Sequence, residues 1–132
     1  IAMKPGRPIT FGQLGSAAYF GLPGNPVSVM TTFYQFVLPA IQRLSGQAAR
    51  SPLTIRVICT SDLRKRAGRF ECQRGILSYN ESGQLTVCAT GKQGSGILTS
   101  MSRANCLILL DDKCDGIEAG DSVTVQPFST FL

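Results

Sequence analysis

The sequence predicts an α/β segment followed by a small all-β domain, and two observations support this division. Residues 1–46 combine two short strands with one long amphipathic helix, which is the composition of an α/β layer. Residues 52–132 hold several short strands separated by turns that contain Gly and Asn, a pattern typical of a β-barrel or a sandwich. The polar residues 47–51 form a linker. Because two strands and one helix do not close a layer, we expect residues 1–46 to be the end of a larger α/β domain.

The strands are predicted from alternating apolar and polar residues, or from short apolar runs between turn residues. They cover residues 9–14, 18–22, 54–59, 69–79, 84–90, 105–110 and 122–126. Gly15–Ser16 joins the first two strands, and residues 80–83 form a hairpin turn in the second segment.

One long helix is predicted after the second strand. Asn25 suits the N-cap, and Pro26 suits the first helical position, where a missing N–H costs nothing. Apolar residues then recur at spacings of three and four, which predicts an amphipathic helix packed on a sheet. Pro39 is expected to kink this helix because it cannot donate a hydrogen bond to the carbonyl of Gln35, and Gly46 is expected to end it.

Charge is unevenly distributed along the chain, whose net charge is +5. Residues 1–50 contain four cationic side chains and no Asp or Glu, and residues 51–110 contain eight basic and three acidic residues. Residues 111–132 contain one basic and five acidic residues. The first stretch therefore cannot supply a general acid or carboxylate ligands for a metal ion. A positive face favours anionic partners, but a solvated surface explains the charge alone equally well.

The absence of His and the number of Cys exclude several classes of site. Without His the chain can hold neither a His-containing catalytic triad nor a His-containing zinc site. The five Cys are odd in number and no two have C-x-x-C spacing, so they are expected to be free thiols in a reducing, cytoplasmic compartment. No apolar run is long enough to cross a bilayer, and no secretory signal is recognisable, so no membrane partner is expected.

Two motifs in the first segment can bind anions. Residues 21–28 read G-L-P-G-N-P-V-S, which places backbone N–H groups and the Ser28 hydroxyl at the start of a helix, where oxyanions and phosphates bind. The alternative is an ordinary capped turn. Residues 3–8 read M-K-P-G-R-P, where Pro and Gly stiffen a segment that presents Lys4 and Arg7. Its alternative is a solvated basic turn.

Two motifs in the second segment are less specific. Residues 91–96 are Gly-rich and include Ser95, and they can form an anion-binding nest or a structural turn. Nucleophilic catalysis by Ser95 is not expected because the chain has no His to act as its base. The basic run Arg64–Arg69, with Arg74 close behind, can bind nucleic acid or form a solvated loop, and a single interleaved aromatic residue weakens the first interpretation.

Together these motifs closely resemble the C-terminal part of the molybdopterin molybdenumtransferase (MoeA) family, to which the E domain of gephyrin-type proteins is similar. The resemblance covers essentially the whole chain. It is carried by M-K-P-G-R-P at 3–8, F-G at 11–12, G-L-P-G-N-P-V-S at 21–28, T-F-Y-Q at 32–35, G-R at 68–69, Q-R-G at 73–75, Gly91, Q-G-S at 93–95, N-C at 105–106 and V-Q-P-F at 125–128.

The resemblance implies a fold, a reaction and a set of partners. The family has a three-layer α/β domain that binds molybdopterin, whose end would be residues 1–46, followed by a β-barrel domain, which would be residues 52–132. Its members insert molybdate into adenylyl-molybdopterin with release of AMP, supported by Mg²⁺ or Zn²⁺. They act as homodimers whose active cleft is shared between the α/β domain of one subunit and the barrel of another.

The resemblance also implies roles for individual residues. Lys4, Arg74 and Ser95 match functional positions of the family and are expected to be catalytic. The expected substrate-binding residues are Pro23, Gly24, Asn25, Pro26, Ser28, Arg7 and Gly94. Arg7 stands where many members have Lys, and it keeps the charge but not the geometry of that side chain.

The functional aspartates of the family have no counterpart in this chain. The ligands of the divalent cation are therefore expected in another part of the full-length protein, no metal ligand is assigned here, and the chain alone is expected to be inactive. Two alternatives stay open: a module that binds molybdopterin or acts as a scaffold without catalysis, and, less favoured, an RNA-binding barrel.

Overall fold

The computed structural model describes residues 2–48, 51–91 and 102–128. The strands are Met3–Lys4 (β1), Thr10–Leu14 (β2), Ala17–Gly21 (β3), Ile55–Cys59 (β4), Phe70–Tyr79 (β5), Leu85–Ala89 (β6), Cys106–Leu110 (β7) and Ser122–Pro127 (β8). The helical segments are Pro26–Thr32 (α1), a π-helical turn at Phe33–Val37, and Leu38–Leu44 (α2).

The second segment folds as a closed five-stranded β-barrel, which is one of the two folds that the strand pattern allows and the one that the family resemblance implies. Its strands pair in the order β5, β6, β4, β8, β7, and β7 pairs again with β5 to close the sheet. All these pairs are antiparallel except β4 with β6. Buried apolar side chains from every strand of the barrel fill its interior, among them Val57, Leu77, Val87, Ile108 and Val125.

Gly75 is the residue of the long strand β5 at which its two partner strands meet. Gly75 pairs with Ala89 on β6 and with Cys106 on β7. A Cβ atom at this position would lie 2.9 Å from carbon atoms of both Val87 and Ile108. Glycine therefore allows the two strands to pack against the same point of β5.

Strand β1 joins the barrel sheet, which the sequence did not predict. It pairs in parallel with the start of β5, with Met3 opposite Phe70 and Lys4 opposite Glu71. Met3 is buried. A strand of two residues carries no periodic pattern, so only the long-range pairing reveals it. The pairing places Lys4 beside the barrel.

Strands β2 and β3 form the predicted hairpin, and its turn is Gly15–Ser16. Its residues are mostly exposed, and Phe11 and Leu14 are both more than two-thirds exposed. The apolar helix residues Met30, Ile41 and Leu44 are also exposed. The helix therefore leaves much of its predicted apolar face uncovered.

The helix begins and ends where the sequence predicts. Asn25 is its N-cap with extended backbone angles, Pro26 follows in the first turn, and the left-handed Gly46 lies just beyond its end. The irregularity expected from Pro39 takes the form of the π-helical turn, in which the Leu38 N–H donates to the Phe33 carbonyl. Pro39 then lies in the first turn of α2, where its missing N–H is tolerated.

The π-helical turn connects the helix to the end of the barrel. The Gln35 side-chain amide donates a 2.7 Å hydrogen bond to the Gln126 side chain on β8. The ring of Tyr34 stacks on that of Phe128, with their centroids 5.0 Å apart. None of the helices in the described part of the chain is long and apolar enough to span a membrane.

Candidate anion-binding site

Lys4 lies in a cleft of about 580 Å³ between β1, the start of β5 and the loop that precedes β5. We call it the cationic cleft, and it is lined by Lys4, Leu63, Arg64, Lys65, Arg66, Arg69, Glu71, Asp115 and Gly116. Five of these nine residues are cationic and two are acidic. A second hollow, of about 320 Å³, shares Arg69 with the cleft and is lined also by Arg7. Positive charge on the walls of a concave site favours anionic ligands.

The Lys4 ammonium group is oriented by its strand and by one carboxylate. Its Nζ lies 4.0 Å from Oε1 of Glu71, the residue opposite it in the sheet. Glu71 is buried, and the same oxygen accepts a 3.0 Å hydrogen bond from the Gln73 side-chain amide. The Lys4 side chain remains 48% exposed, so its ammonium group stays accessible to a ligand. At 4.0 Å the ion pair is long, and a partly exposed pair of this kind contributes little to stability.

The turn that follows Lys4 packs against helix α1. Gly6 has a φ of +108°, and a Cβ atom there would collide with the side chains of Thr32 and Met3. The Thr32 hydroxyl donates a 2.7 Å hydrogen bond to the Ser28 carbonyl. The glycine of the K-P-G motif therefore allows the close approach that fixes this segment to the helix.

The P-G-N-P loop uses its own side chain to cap the helix. Oδ1 of Asn25 accepts hydrogen bonds from the Val27 N–H at 3.0 Å and from the Ser28 N–H at 3.4 Å. Both donors, which we expected to face an anion, are thus already paired within the loop, and Val27 and Ser28 are buried. Pro23 is half-buried and Gly24 is exposed, so the accessible part of the loop precedes the cap.

The other expected site residues lie apart from the cleft or outside the described residues. Arg74 is on β5, opposite Leu107, and is only 1% exposed. Burial lowers the pKa of its guanidinium, and the Glu71 carboxylate opposes that shift. Neither Arg74 nor Asn25 is among the described residues that line the cationic cleft. Gly94 and Ser95 lie outside the described residues.

The structure adds three residues that sequence reasoning did not assign to the site. Arg64, Arg66 and Arg69 line the same cleft as Lys4. The sequence signal for them was the basic run itself, which indicated only a nucleic-acid-binding or a solvated loop. Their proximity to Lys4 depends on the pairing of β1 with β5, which links residues far apart in sequence.

The described residues do not fit a divalent metal ion. Within residues 2–48, 51–91 and 102–128, no group of three or more Cys, Asp or Glu side chains is arranged to hold one. The two acidic residues of the cleft have other partners: Glu71 contacts Gln73 and Lys4, and Asp115 Oδ1 accepts a 3.3 Å hydrogen bond from the Ala67 N–H. No chemical step is therefore assigned to a metal bound by these residues.

The chain is similar to proteins of molybdenum cofactor biosynthesis. It is 44% identical to a molybdopterin molybdenumtransferase of Haemophilus influenzae over 133 residues, which cover 100% of this chain and 33% of that protein. It is 36% identical to the molybdenum cofactor synthesis protein cinnamon of Drosophila melanogaster, over 83% of this chain and 18% of that protein.

The fold is also found in a solved structure. A molybdenum cofactor biosynthesis protein from Pyrococcus furiosus superposes with a TM-score of 0.73 and 29% identity, over 96% of this chain and 43% of that one. The chain spans about a third, or less, of the length of the curated relatives it matches.

A family match assigns the barrel. The family described as the MoeA C-terminal region (domain IV) matches residues 56–128, which is more than half of the chain and includes nearly all of the five barrel strands. The chain therefore belongs to the MoeA family, and its barrel is the C-terminal region of that family.

Proposed function

We propose that this chain is part of a molybdopterin molybdenumtransferase that inserts molybdate into adenylyl-molybdopterin with release of AMP. The observation that carries the proposal is the position of Lys4, the lysine of the K-P-G motif, in a cleft lined by four further cations. The similarity to enzymes of that name supports the choice of reaction. Both substrates are anions, and a cationic cleft suits them.

In this reaction an oxygen nucleophile attacks the phosphoanhydride that joins AMP to the phosphate of molybdopterin, and AMP leaves. The two dithiolene sulfurs take the place of two oxo groups of molybdate, with water as the remaining product. The chain's own contribution is to bind and orient charged groups. The Lys4 ammonium group holds an oxyanion of the ligand and offsets negative charge during the displacement at phosphorus. Arg7, beside the smaller hollow, widens this positive surface.

The P-G-N-P loop contributes a rigid wall to the substrate site. Pro23 and Pro26 limit its conformations, and the Asn25 cap holds its peptide groups in place, so little ordering is needed when a ligand arrives. Because the Val27 and Ser28 amides are paired with Asn25, we assign direct contact to Gly24, which is exposed, and a supporting role to Asn25 and Ser28.

Arg74, Gly94 and Ser95 form the barrel side of a cleft shared between two subunits of a homodimer. The burial of Arg74 within β5 supports a guanidinium held in a fixed direction. A substitution by Lys keeps the charge but not the planar fork, so Arg74→Lys is expected to lose most of the activity.

The divalent cation, Mg²⁺ or Zn²⁺, has its ligands in parts of the protein beyond these residues. The enzyme acts in the cytoplasm, which the five free thiols support. The 132-residue chain alone has no activity, because its described residues offer no cluster of three or more Cys, Asp or Glu side chains arranged to hold the cation. Release of AMP by the isolated chain would contradict this part of the proposal.

The test is molybdate insertion by the full-length protein with Lys4→Gln, compared with the wild type. Arg43 is exposed on α2 and is not one of the residues that line the cleft, so Arg43→Gln provides the control. Loss of one charge-assisted contact from a partly exposed lysine predicts that the insertion rate of Lys4→Gln is about tenfold lower than that of the wild type. The control is expected to match the wild type. An unchanged rate in Lys4→Gln would overturn the role of Lys4.

A further inference from the structure

The loop that carries the basic run alternates buried anchors with exposed arginines. Leu63 and Lys65 are buried, whereas Arg64 and Arg66 are exposed. Leu63 forms a two-way backbone bridge with Ile117, with hydrogen bonds of 2.8 and 3.0 Å. The Leu63 side chain is therefore buried in the barrel, while the side chains of Arg64 and Arg66 are exposed beside the cleft.

A buried lysine fastens the middle of the loop. Lys65 is 7% exposed, and its Nζ donates 3.0 Å hydrogen bonds to the carbonyls of Arg66 and Cys114. The Lys65 ammonium group is therefore used inside the protein, and it does not serve as a solvent-exposed charge. It ties the backbone beside Arg66 to the loop that follows β7.

Two further contacts complete the attachment. The Gly68 N–H donates a 2.7 Å hydrogen bond to the Asp112 carbonyl, and Gly68 has a φ of +123° that suits glycine. The carbonyl of Arg64 accepts a 2.8 Å hydrogen bond from the Gln73 side chain. A loop held at so many points presents its arginines without a large ordering cost on binding.

The arginine side chains of the loop are available to a ligand. Across the part of the chain that the structure describes, the guanidinium groups of Arg64, Arg66 and Arg69 have no hydrogen-bond or ion-pair partner. A guanidinium group binds a tetrahedral oxyanion through two parallel hydrogen bonds. Three such groups and Lys4 carry four positive charges, and the carboxylates of Glu71 and Asp115 reduce the net charge to +2 when the internally bonded Lys65 is left aside. A net charge of +2 suits a dianion.

We propose that Arg64, Arg66 and Arg69, together with Lys4, form a subsite for a doubly charged tetrahedral oxyanion, either molybdate or the phosphate group of a phosphate ester. The subsite deepens the proposed function and rests on it for the identity of the ligand. Phe70, the one aromatic residue beside the run, is partly buried in β5, so the loop offers no exposed ring on which RNA bases could stack.

The test is equilibrium binding to the full-length protein, measured by isothermal titration calorimetry at low salt. The probes are molybdate, inorganic phosphate and AMP, each titrated into the wild type and into the double variant Arg64→Gln/Arg66→Gln. The control is Arg43→Gln, an exposed arginine on α2. The double variant is expected to raise the Kd of at least one oxyanion by about tenfold or more, whereas the control leaves it unchanged.

Each result has a defined meaning. A weaker molybdate affinity alone identifies molybdate as the ligand, and a weaker affinity for phosphate and AMP identifies a phosphate ester. Unchanged affinities in the double variant, or no binding of molybdate, phosphate or AMP to the wild type, would overturn the subsite. A parallel titration with single-stranded RNA would also overturn it if RNA bound and these three probes did not. Because binding is measured without turnover, this test is independent of the insertion assay. The arginine variants can leave the affinities unchanged while Lys4→Gln still lowers the insertion rate, and the arginine variants can weaken binding while Lys4→Gln leaves the rate unchanged.

Discussion

Replacement of Gly75 by Ala tests the packing that closes the barrel. The new Cβ atom would lie 2.9 Å from Cγ2 of Val87 and 2.9 Å from Cγ1 of Ile108. Carbon atoms in contact normally lie about 3.5–4.0 Å apart, so both side chains would have to move by about half an ångström or more. Val87 is 1% exposed and Ile108 is 0% exposed, which leaves them little room. Overpacking of this kind costs about 1–3 kcal/mol.

Urea unfolding of the protein, followed by circular dichroism, measures the effect. A loss of this size lowers the midpoint by roughly 1 M at an ordinary m-value. Gly12→Ala is the matched control, because a Cβ atom on exposed β2 would meet only a Tyr19 carbon at 3.7 Å. In the double variant Gly75→Ala/Val87→Ala one of the two close contacts disappears, so its loss of stability should be smaller than the sum of the single losses. Wild-type stability in Gly75→Ala, or strict additivity in the double variant, would refute the reasoning.

Three other predictions concern the cleft and the core. Lys65→Met leaves two carbonyls without their hydrogen-bond donor. It should lower the free energy of unfolding by about 2 kcal/mol, measured by urea unfolding, and should also lower the affinity for molybdate, measured by calorimetry. An unchanged affinity would contradict the anchoring role of Lys65. Glu71→Gln removes the negative charge beside Lys4 and should tighten molybdate binding in the same titration, and weaker binding would contradict this. Burial raises the pKa of the Cys72 and Cys106 thiols from 9.0 to about 12, so the unfolded state loses these protons first. The stability they contribute is fully present below pH 9 and falls between pH 9 and 12, and the fall should be shallower in Cys72→Ala.

The sequence predicted the elements whose signals are local. Alternation of apolar and polar residues located the barrel strands, and Asn25 with Pro26 located the start of the helix, because capping acts within one turn. Closure of the barrel, rather than a sandwich, depends on the pairing of β5 with β7. Such pairing joins distant residues, and the choice between the two folds came from the family resemblance.

The site was predicted only in part for the same reason. The K-P-G and P-G-N-P motifs indicated anion binding, but the sequence did not separate this role from that of the Asn25 cap, which it also predicted and which occupies the first two amides of the helix. Nor did it indicate that the loop at Arg64–Arg69 meets Lys4, because that contact depends on the two-residue strand β1. The run is dense in charge, yet only the structure shows that Lys65 is buried while Arg64, Arg66 and Arg69 stay exposed beside the cleft.

The most direct test of the account is the position of molybdate in crystals of the full-length protein. Anomalous scattering at the molybdenum edge locates the ion independently of any assumption about the site. The account predicts a peak in the cationic cleft, within ion-pair distance of the Lys4 ammonium group and of at least one guanidinium group from Arg64, Arg66 or Arg69. A molybdate ion bound elsewhere, with this cleft filled only by solvent, would contradict it.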